Sequence, residues 1–263
     1  MATFFGEVIL PSSRVFFDDS DDEEDGSSAT QRNEFEVKEL VPGSLGAECN
    51  LLVISEGNVS RGFSDHHLMG EDAQVLAEIQ LPSHEQMDTD FPARRKAAEP
   101  TLLYKLKHST YLLDVSSSID ILLSNNLTLS IQSVLRSAKK IVVLCNRPTA
   151  DFRCDSINDL PSAFLRVLKT SSWTEPLDQR IVEQPNFISG LPASIISWCE
   201  ASNKPCVAAI CFTDTDRAEA VTVSPLLNFF KSSDLSRHLA PIHGTISYKG
   251  RNKMNREESN MYL

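Results

Sequence analysis

The chain has 263 residues, 41% of them hydrophobic, and a formal net charge of −11. This length and composition are enough to build a hydrophobic core, so we expect a globular protein. Seven acids in the eight residues Asp18–Asp25 carry much of the charge, and without them 29 acidic side chains face 25 basic ones. No basic stripe offers a footprint to a phosphate backbone, and nucleic acid is therefore not an expected partner.

Targeting signals and disulfide patterns are both missing from the sequence. Residues Met1–Leu10 lack a basic start and a long apolar stretch, and no run approaches the roughly 18 apolar residues of a membrane span. The six cysteines are too dilute for a disulfide scaffold, and several lie in apolar runs, which predicts reduced core residues. We expect a soluble cytoplasmic protein without membrane insertion, with nuclear or endoplasmic-reticulum-associated locations as alternatives.

The N-terminal part divides into two segments. Residues 1–17 contain a short apolar, strand-like segment, and residues 18–36 form an acidic stretch whose composition predicts disorder. Within that stretch Ser20 is followed by three acids, a context that suits an acidic-directed kinase and makes it a candidate phosphosite. The alternative is a solvated spacer.

Residues 37–240 are predicted to form the folded domain, and its first half contains strand patterns. A compact apolar run at Cys49–Ser55 has strand length and is followed by Ala73–Leu81. The polar segment 82–100, with its three prolines, is predicted to be a loop insert. After it, "TLLYKLKH" and "TYLLDV" predict two adjacent strands joined by a tight connection. These two runs indicate a hairpin.

Helical patterns then alternate with buried strands. Residues Asn125–Lys140 place apolar side chains on one helical face, with Asn125 or Asn126 as the N-cap, and the strand "KKIVVLCN" follows. A second helix has Pro192 at its first position and precedes "CVAAICFTD", and a third begins at Ser224 and Pro225. This alternation predicts an α/β fold, a layered sheet with helices packed on its faces.

Motifs for catalysis are weak in this chain. The neighbouring His66 and His67 have no further ligand at metal-binding spacing, and no glycine-rich phosphate loop or nucleophile elbow is present. Asp214 and Asp216 follow a predicted strand, where acids of α/β enzymes often lie, although turn residues are the simpler interpretation. We therefore predict a protein that is not an enzyme and has no cofactor or metal. The alternative is a small-molecule enzyme that uses these acids and a histidine.

The C-terminal residues 241–263 read as a flexible polar tail with an apolar end. Met261, Tyr262 and Leu263 combine a thioether, a phenol ring and a carboxylate, a compact unit that a groove with a lysine or backbone amides could hold. A polar leash would let this unit reach a separate protein. The alternative is that these three residues fold back on their own domain or make no contact.

A hydrophobic–tyrosine–X ending (the HbYX motif) resembles the one with which proteasome activators and certain assembly chaperones dock into the α ring. Other parts of the chain are similar to the family of proteasome assembly chaperones, in the family's order, whereas residues 37–140 match it only in hydrophobic rhythm. The matching stretches are "ATFFGEV", "LPSAFLRVLKT", "VEQPNFISGLPASIISWCE", "PCVAAICFTD" and "NMYL".

The resemblance implies a heterodimer with proteasome assembly chaperone 2. That pair would bind proteasome α subunits, promote α-ring assembly of the 20S core particle and prevent off-pathway ring dimers. Within the tail, it makes Met261 the hydrophobic position, Tyr262 the tyrosine and Leu263 the permissive last residue. A loop that precedes the Pro192 helix is a candidate partner contact, since loops on rigid scaffolds often carry contacts, or else a structural entry into that helix. The residues of this loop are Gln184, Pro185, Asn186 and Phe187.

Overall fold

A single mixed sheet of eight strands runs through the part of the chain that the computed structural model describes, which is residues 35–80, 99–116, 119–154, 160–241 and 248. The strands are β1 (Glu36–Glu39), β2 (Cys49–Glu56), β3 (Gln74–Gln80), β4 (Thr101–Leu106), β5 (Thr110–Asp114), β6 (Ala138–Pro148), β7 (Ala163–Lys169) and β8 (Cys206–Thr213). Their order across the sheet is β1-β3-β4-β5-β2-β6-β8-β7.

The four central strands β5, β2, β6 and β8 are parallel, and the outer pairs are antiparallel. All eight residues of β8 are buried, because helices cover both faces of the sheet there. The apolar runs predicted as strands β2, β6 and β8 are confirmed. The predicted hairpin is confirmed as well, since Leu106 of β4 pairs with Thr110 of β5.

Helices lie on the two faces of the sheet and form a three-layer arrangement. The helices are α1 (Asn58–Phe63), α2 (Ser124–Ser130), α3 (Gln132–Ser137), α4 (Gly190–Ala201) and α5 (Ala220–Lys231). Buried side chains of α1 and α5 share one core with the sheet, whereas those of α2, α3 and α4 share the other. The predicted α/β class with layered helices is therefore confirmed. Among the described residues, no helix is both long and apolar enough to cross a bilayer.

The helix predicted over residues 125–140 has a different start and an interruption. A 3-10 turn at Ile121–Leu123 precedes α2, and the Asp120 carboxylate accepts the Leu122 amide at 2.9 Å. An aspartate cap therefore takes the place of the predicted Asn125 or Asn126. The helix breaks at Ile131, and β6 begins at Ala138.

The predicted start of the last helix at Ser224 and Pro225 is wrong. α5 begins at Ala220 because Glu219 and Thr222 form a capping box, in which the Thr222 hydroxyl accepts the Glu219 amide at 2.9 Å. Pro225 lies inside the helix. Similarly, Pro192 is the third residue of α4 and not the first.

The predicted segment bounds fall partly outside the described residues. β1 begins at Glu36, the last residue of the stretch predicted as disordered. Most of the insert 82–100, the segments 1–17 and 18–34, and nearly all of 241–263 lie outside them. Five cysteines are buried as predicted, but Cys154 is exposed, so the prediction of six core cysteines is wrong for that residue.

Candidate protein-binding surface

The loop before α4 holds its shape through Asn186 and presents Phe187 to solvent. The Asn186 side chain donates to the Arg153 carbonyl at 2.9 Å and accepts the Arg153 amide at 2.7 Å, so one side chain completes both backbone groups of a distant residue. Gln184 and Pro185 are exposed. Phe187 is 76% exposed, which is unusual for a large aromatic ring. The structure thus separates the predicted loop into a structural residue and an outward-facing apolar one.

An ion pair ties the start of this loop to the sheet. The Arg166 guanidinium of β7 is buried, and its Nε lies 2.9 and 2.8 Å from the two carboxylate oxygens of Glu183. It also lies 5.1 Å from the ring centroid of Phe152 and 5.0 Å from that of Phe164. The hydrogen bond from Arg166 lowers the pKa of Glu183. The two rings, the guanidinium and the carboxylate therefore fix the position of Glu183, which lies three residues before Asn186.

A second apolar surface lies on the 3-10 turn and α2. No charged residue occurs from Ile121 to Leu135 in the sequence. Three large apolar side chains of this segment face solvent, since Ile121 is 59%, Leu122 84% and Leu129 53% exposed. We name the surface formed by Ile121, Leu122 and Leu129 the uncharged face. A solvent-facing helix normally carries charges, so this composition is typical of a buried interface core.

The uncharged face is continuous with the beginning of α4. A Cβ on Gly190, whose φ is +72°, would lie 3.3 Å from Cγ1 of Ile121, so the side chain packs directly against this backbone. Thr128 of α2 donates to the Ser194 hydroxyl of α4 at 2.9 Å. Because Phe187 precedes Gly190 by three residues, the loop and the uncharged face meet at one corner of the molecule.

A cleft lies at the carboxyl ends of the parallel strands, where the enzyme alternative predicts a pocket. It has a volume of about 720 Å³, and its lining residues include Asp214 and Asp216. After β2 the chain enters α1 on one face of the sheet, whereas after β6 Phe152 packs on the other face. The cleft lies between these two strand ends, the usual ligand position in open α/β sheets. No histidine is present among the described residues that line it.

The polar groups of this cleft bind one another. Asp216 accepts hydrogen bonds from the side-chain amides of Asn58 and Asn146, the latter at 2.8 Å. Arg147 pairs with Glu56 at 3.1 Å and donates to the Ser189 carbonyl at 3.3 Å. These contacts join α1, β6 and the start of α4, and they give Asp216 a structural role.

The remaining candidate residues are distributed as follows. His67 Nε2 lies 2.9 Å from the Tyr248 hydroxyl, and the His66 ring meets the Tyr248 ring edge-on at 5.0 Å, far in sequence from either aspartate. Within the described residues, no three His, Cys, Asp or Glu side chains are grouped to hold a metal ion. Ser20 and the three tail residues Met261, Tyr262 and Leu263 lie outside the described part of the chain.

Sequence reasoning missed the uncharged face. The helical pattern of the buried residues accounts for one side of this helix, and the apolar residues Ile121, Leu122 and Leu129 lie outside that pattern. The signal that could have found it is the run of fifteen uncharged residues from Ile121 to Leu135 combined with leucines seven apart, at Leu122 and Leu129. Residues seven apart in a helix lie on the same face, and here that face is not the one that packs on the core.

Comparison with known proteins gives matches along the whole chain. A family model described as "Proteasome assembly chaperone 4" matches residues 1–263. A Xenopus tropicalis protein named "Proteasome assembly chaperone 1" is 27% identical over 292 aligned positions, covering 100% of both chains. The human protein of that name is 25% identical over 245 positions, which are 84% of this chain and 85% of the relative. A Xenopus laevis protein of the same name is 34% identical over 134 positions, but this match spans only 50% of this chain and 46% of that relative.

Two solved archaeal structures share the fold. Pyrococcus furiosus PbaA, described as an archaeal homolog of proteasome-assembly chaperone, has a TM-score of 0.53 at 13% identity and covers 74% of this chain and 80% of its own. Pyrococcus furiosus PbaB, described as an archaeal proteasome activator, has a TM-score of 0.54 at 9% identity and covers 78% and 93%. At these identities the likeness concerns the fold alone. The family match over the full length confirms the resemblance found in the sequence, and the chain belongs to the proteasome assembly chaperone family.

Proposed function

We propose that this chain is a proteasome assembly chaperone that pairs with a related chain, proteasome assembly chaperone 2, and acts on proteasome α subunits without catalysis. The pair promotes closure of the α ring and prevents off-pathway ring dimers. The observation that carries this proposal is the family match over residues 1–263. An exposed apolar surface on the described domain, which a binding protein needs and an enzyme does not, supports it further.

The proposed pairing surface combines the uncharged face with Phe187. Interfaces between stable partners are depleted of charge at their centre and enriched in aromatic and aliphatic anchors, and both features are present here. A patch without charge has no charged group that must lose its water when the interface closes.

The proposed contact with α subunits is made by Met261, Tyr262 and Leu263. The hydrogen bond between Tyr248 and His67 holds the chain at the domain, and fifteen residues follow Tyr248 in the sequence. An extended segment of that length spans roughly 50 Å. A three-residue anchor on such a leash gains from the high effective concentration set by the rest of the complex, and it therefore contributes without binding tightly alone.

Replacing Tyr262 by alanine is expected to lower recovery of α subunits in a native pull-down at least about tenfold, because one anchor of a multivalent contact is lost. Recovery of the related chaperone should be unchanged. Bound proteins are identified by mass spectrometry, and Asn260→Ala is the matched tail control. Equal recovery of α subunits with both variants would contradict the docking role of the tail, whereas failure of the intact chain to recover any α subunit would contradict the proposed function.

Replacing Phe187 by alanine is expected to weaken pairing with the related chaperone about tenfold, the typical loss at an aromatic hot spot. The melting temperature should stay the same, because the ring is 76% exposed and contributes little to the core. Pairing is measured by isothermal titration calorimetry with purified chains, and Gln184→Ala is the control. If both Phe187→Ala and Asn186→Ala pair as the wild type does, the loop is only an entry into α4.

A further inference from the structure

A basic cavity lies at the amino ends of the three adjacent parallel strands β5, β2 and β6, at the opposite edge of the sheet from the cleft that contains Asp214 and Asp216. Its volume is about 490 Å³. Strand β2 contributes Asn50, and β6 contributes two lysines that follow its first residue. The β4–β5 turn and the segment after α5 close its sides. Its lining residues are Asn50, His108, Ser109, Lys139, Lys140, Arg237 and His238, and none of these is acidic.

Two of the cations in this cavity have no acidic partner among the described residues. Lys140 forms an ion pair with Glu175. Neither Lys139 nor Arg237 forms an ion pair with any described residue, and the only hydrogen bond of the Arg237 guanidinium goes from Nε to His238 at 3.1 Å within that part of the chain. In a protein with a net charge of −11, two cations that line one concavity without an ion pair to any described residue create a local positive field.

His238 fixes the direction of Arg237. Its Nε2 accepts the Arg237 Nε–H, and its Nδ1 lies 2.7 Å from the hydroxyl of Thr110, which is buried. The acceptor role requires a neutral imidazole. Burial, followed by the charges of Arg237, His108 and Lys140, lowers the pKa of His238 to about 4, so the ring is neutral at physiological pH. The terminal nitrogens of Arg237 are thereby left to donate to a ligand.

The turn at the mouth of the cavity has a strained backbone. His108 and Ser109 have φ values of 56° and 53°, a left-handed conformation that glycine or asparagine normally supplies in a tight hairpin. Backbone strain of this kind is concentrated at binding sites. The ring of His108 lies 6.5 Å from that of His238, between their centroids. The side chain of Asn50 steadies the turn by donating to the His108 carbonyl at 3.4 Å.

We propose that this cavity binds a phosphoryl oxyanion, either inorganic phosphate or the phosphate of a monoester. An ammonium, a guanidinium, an imidazole and a hydroxyl surround one concavity, and a tetrahedral dianion has enough acceptor oxygens for all of them. A carboxylate, with two oxygens in one plane, fits this spread of donors less well. The inference is independent of the proposed chaperone function, since it uses neither the tail nor the uncharged face.

The test is a titration of the full chain with sodium phosphate, followed by the NMR signals of the histidine Cε1 protons. Ionic strength and pH are held constant with sodium chloride and buffer. The His108 signal, identified by its loss in His108→Asn, is expected to shift with saturation at millimolar phosphate. Combining Lys139→Ala with Arg237→Ala should weaken binding at least about a hundredfold, because each charge-assisted hydrogen bond contributes about tenfold or more.

The control removes the same number of positive charges elsewhere. Lys38 and Lys169 are exposed and lie outside the cavity, so Lys38→Ala combined with Lys169→Ala should bind phosphate as the wild type does. O-phosphoserine as a second probe distinguishes the sources, because a shift with both probes indicates a phosphomonoester site and a shift with phosphate alone indicates a site for the free ion. Shifts that do not saturate, or that are the same in the two double variants, would overturn the proposal.

Discussion

Replacing Leu122 and Leu129 together by aspartate is expected to abolish pairing with the related chaperone while leaving the fold intact. Both side chains are mostly exposed in the single chain, at 84% and 53%, so charged replacements are solvated there and cost little. In a closed interface the same carboxylates lose their water. No cation lies between Ile121 and Leu135 to pair with them.

The size of this effect follows from the desolvation of an unpaired charge. Leaving one such charge in a protein interior costs roughly 3–5 kcal/mol, which corresponds to a loss of at least about a hundredfold in affinity for a single aspartate. Two aspartates seven residues apart should therefore bring pairing below detection. Calorimetric titration of the purified related chaperone into the variant measures the loss, and thermal unfolding of the single chain checks that the fold is intact.

A matched control exists on the other side of the sheet. Val221 of α5 is 59% exposed, and α5 packs on the face of the sheet opposite to α2. Val221→Asp also places a carboxylate at an exposed apolar position, and we expect pairing to be unchanged. Loss of pairing in the control and not in the double leucine variant would move the interface to the α5 side.

The sheet could be predicted from the sequence because its central strands are covered on both faces. Residues of β2, β6 and β8 appear as unbroken apolar runs, and runs of this length have few alternatives other than a buried strand. Helix starts were less predictable. The Asp120 and Glu219 caps use side chains several residues before the first apolar repeat, where the sequence also offered Asn125 and Ser224 as reasonable caps.

The surfaces could be predicted only in part. The loop residue Phe187 was found because it lies next to a helix start, in a segment that already resembled the family. The uncharged face and the basic cavity depend on which side chains the fold brings to one side. In the cavity, Asn50, His108, Lys139 and Arg237 are spread over most of the chain and meet only because β2, β5 and β6 are neighbours. The net charge of the whole chain is negative, so composition alone does not indicate this local basic site.

Replacing Arg166 by alanine is expected to lower the free energy of unfolding by about 3 kcal/mol. The variant loses two contacts to the Glu183 carboxylate, a hydrogen bond to the Leu165 carbonyl and the stacking of the guanidinium on Phe152 and Phe164. Hydrogen bonds to charged groups contribute about 1.5–3 kcal/mol, and a stacked cation on an aromatic ring adds about 1 kcal/mol. The side chain of Glu183 is 45% exposed, so solvent screening lowers the share of the ion pair.

Urea unfolding at several pH values separates the two contributions of Arg166. The folded pKa of Glu183 is lowered by Arg166, so the ion pair stabilises the fold above the unfolded pKa of about 4.3 and is lost as pH falls through the lower folded value. The difference between wild type and Arg166→Ala should therefore be largest near pH 7 and shrink below about pH 4. Lys169→Ala, which removes an exposed cation of the same strand, should change stability by less than about 0.5 kcal/mol.

The residual difference at low pH then measures the stacking of the guanidinium on the rings together with its hydrogen bond to the Leu165 carbonyl. A difference that does not change between pH 7 and pH 3 would assign the whole effect to these two contacts and would leave Glu183 without a role in stability. A total loss below about 1 kcal/mol would contradict the view that this cluster fixes the loop. Because Glu183 lies three residues before Asn186, a loosened cluster should also weaken pairing through Phe187. Arg166→Lys keeps the charge but not the planar stack. Its stability and its pairing affinity should therefore lie between those of the wild type and of Arg166→Ala.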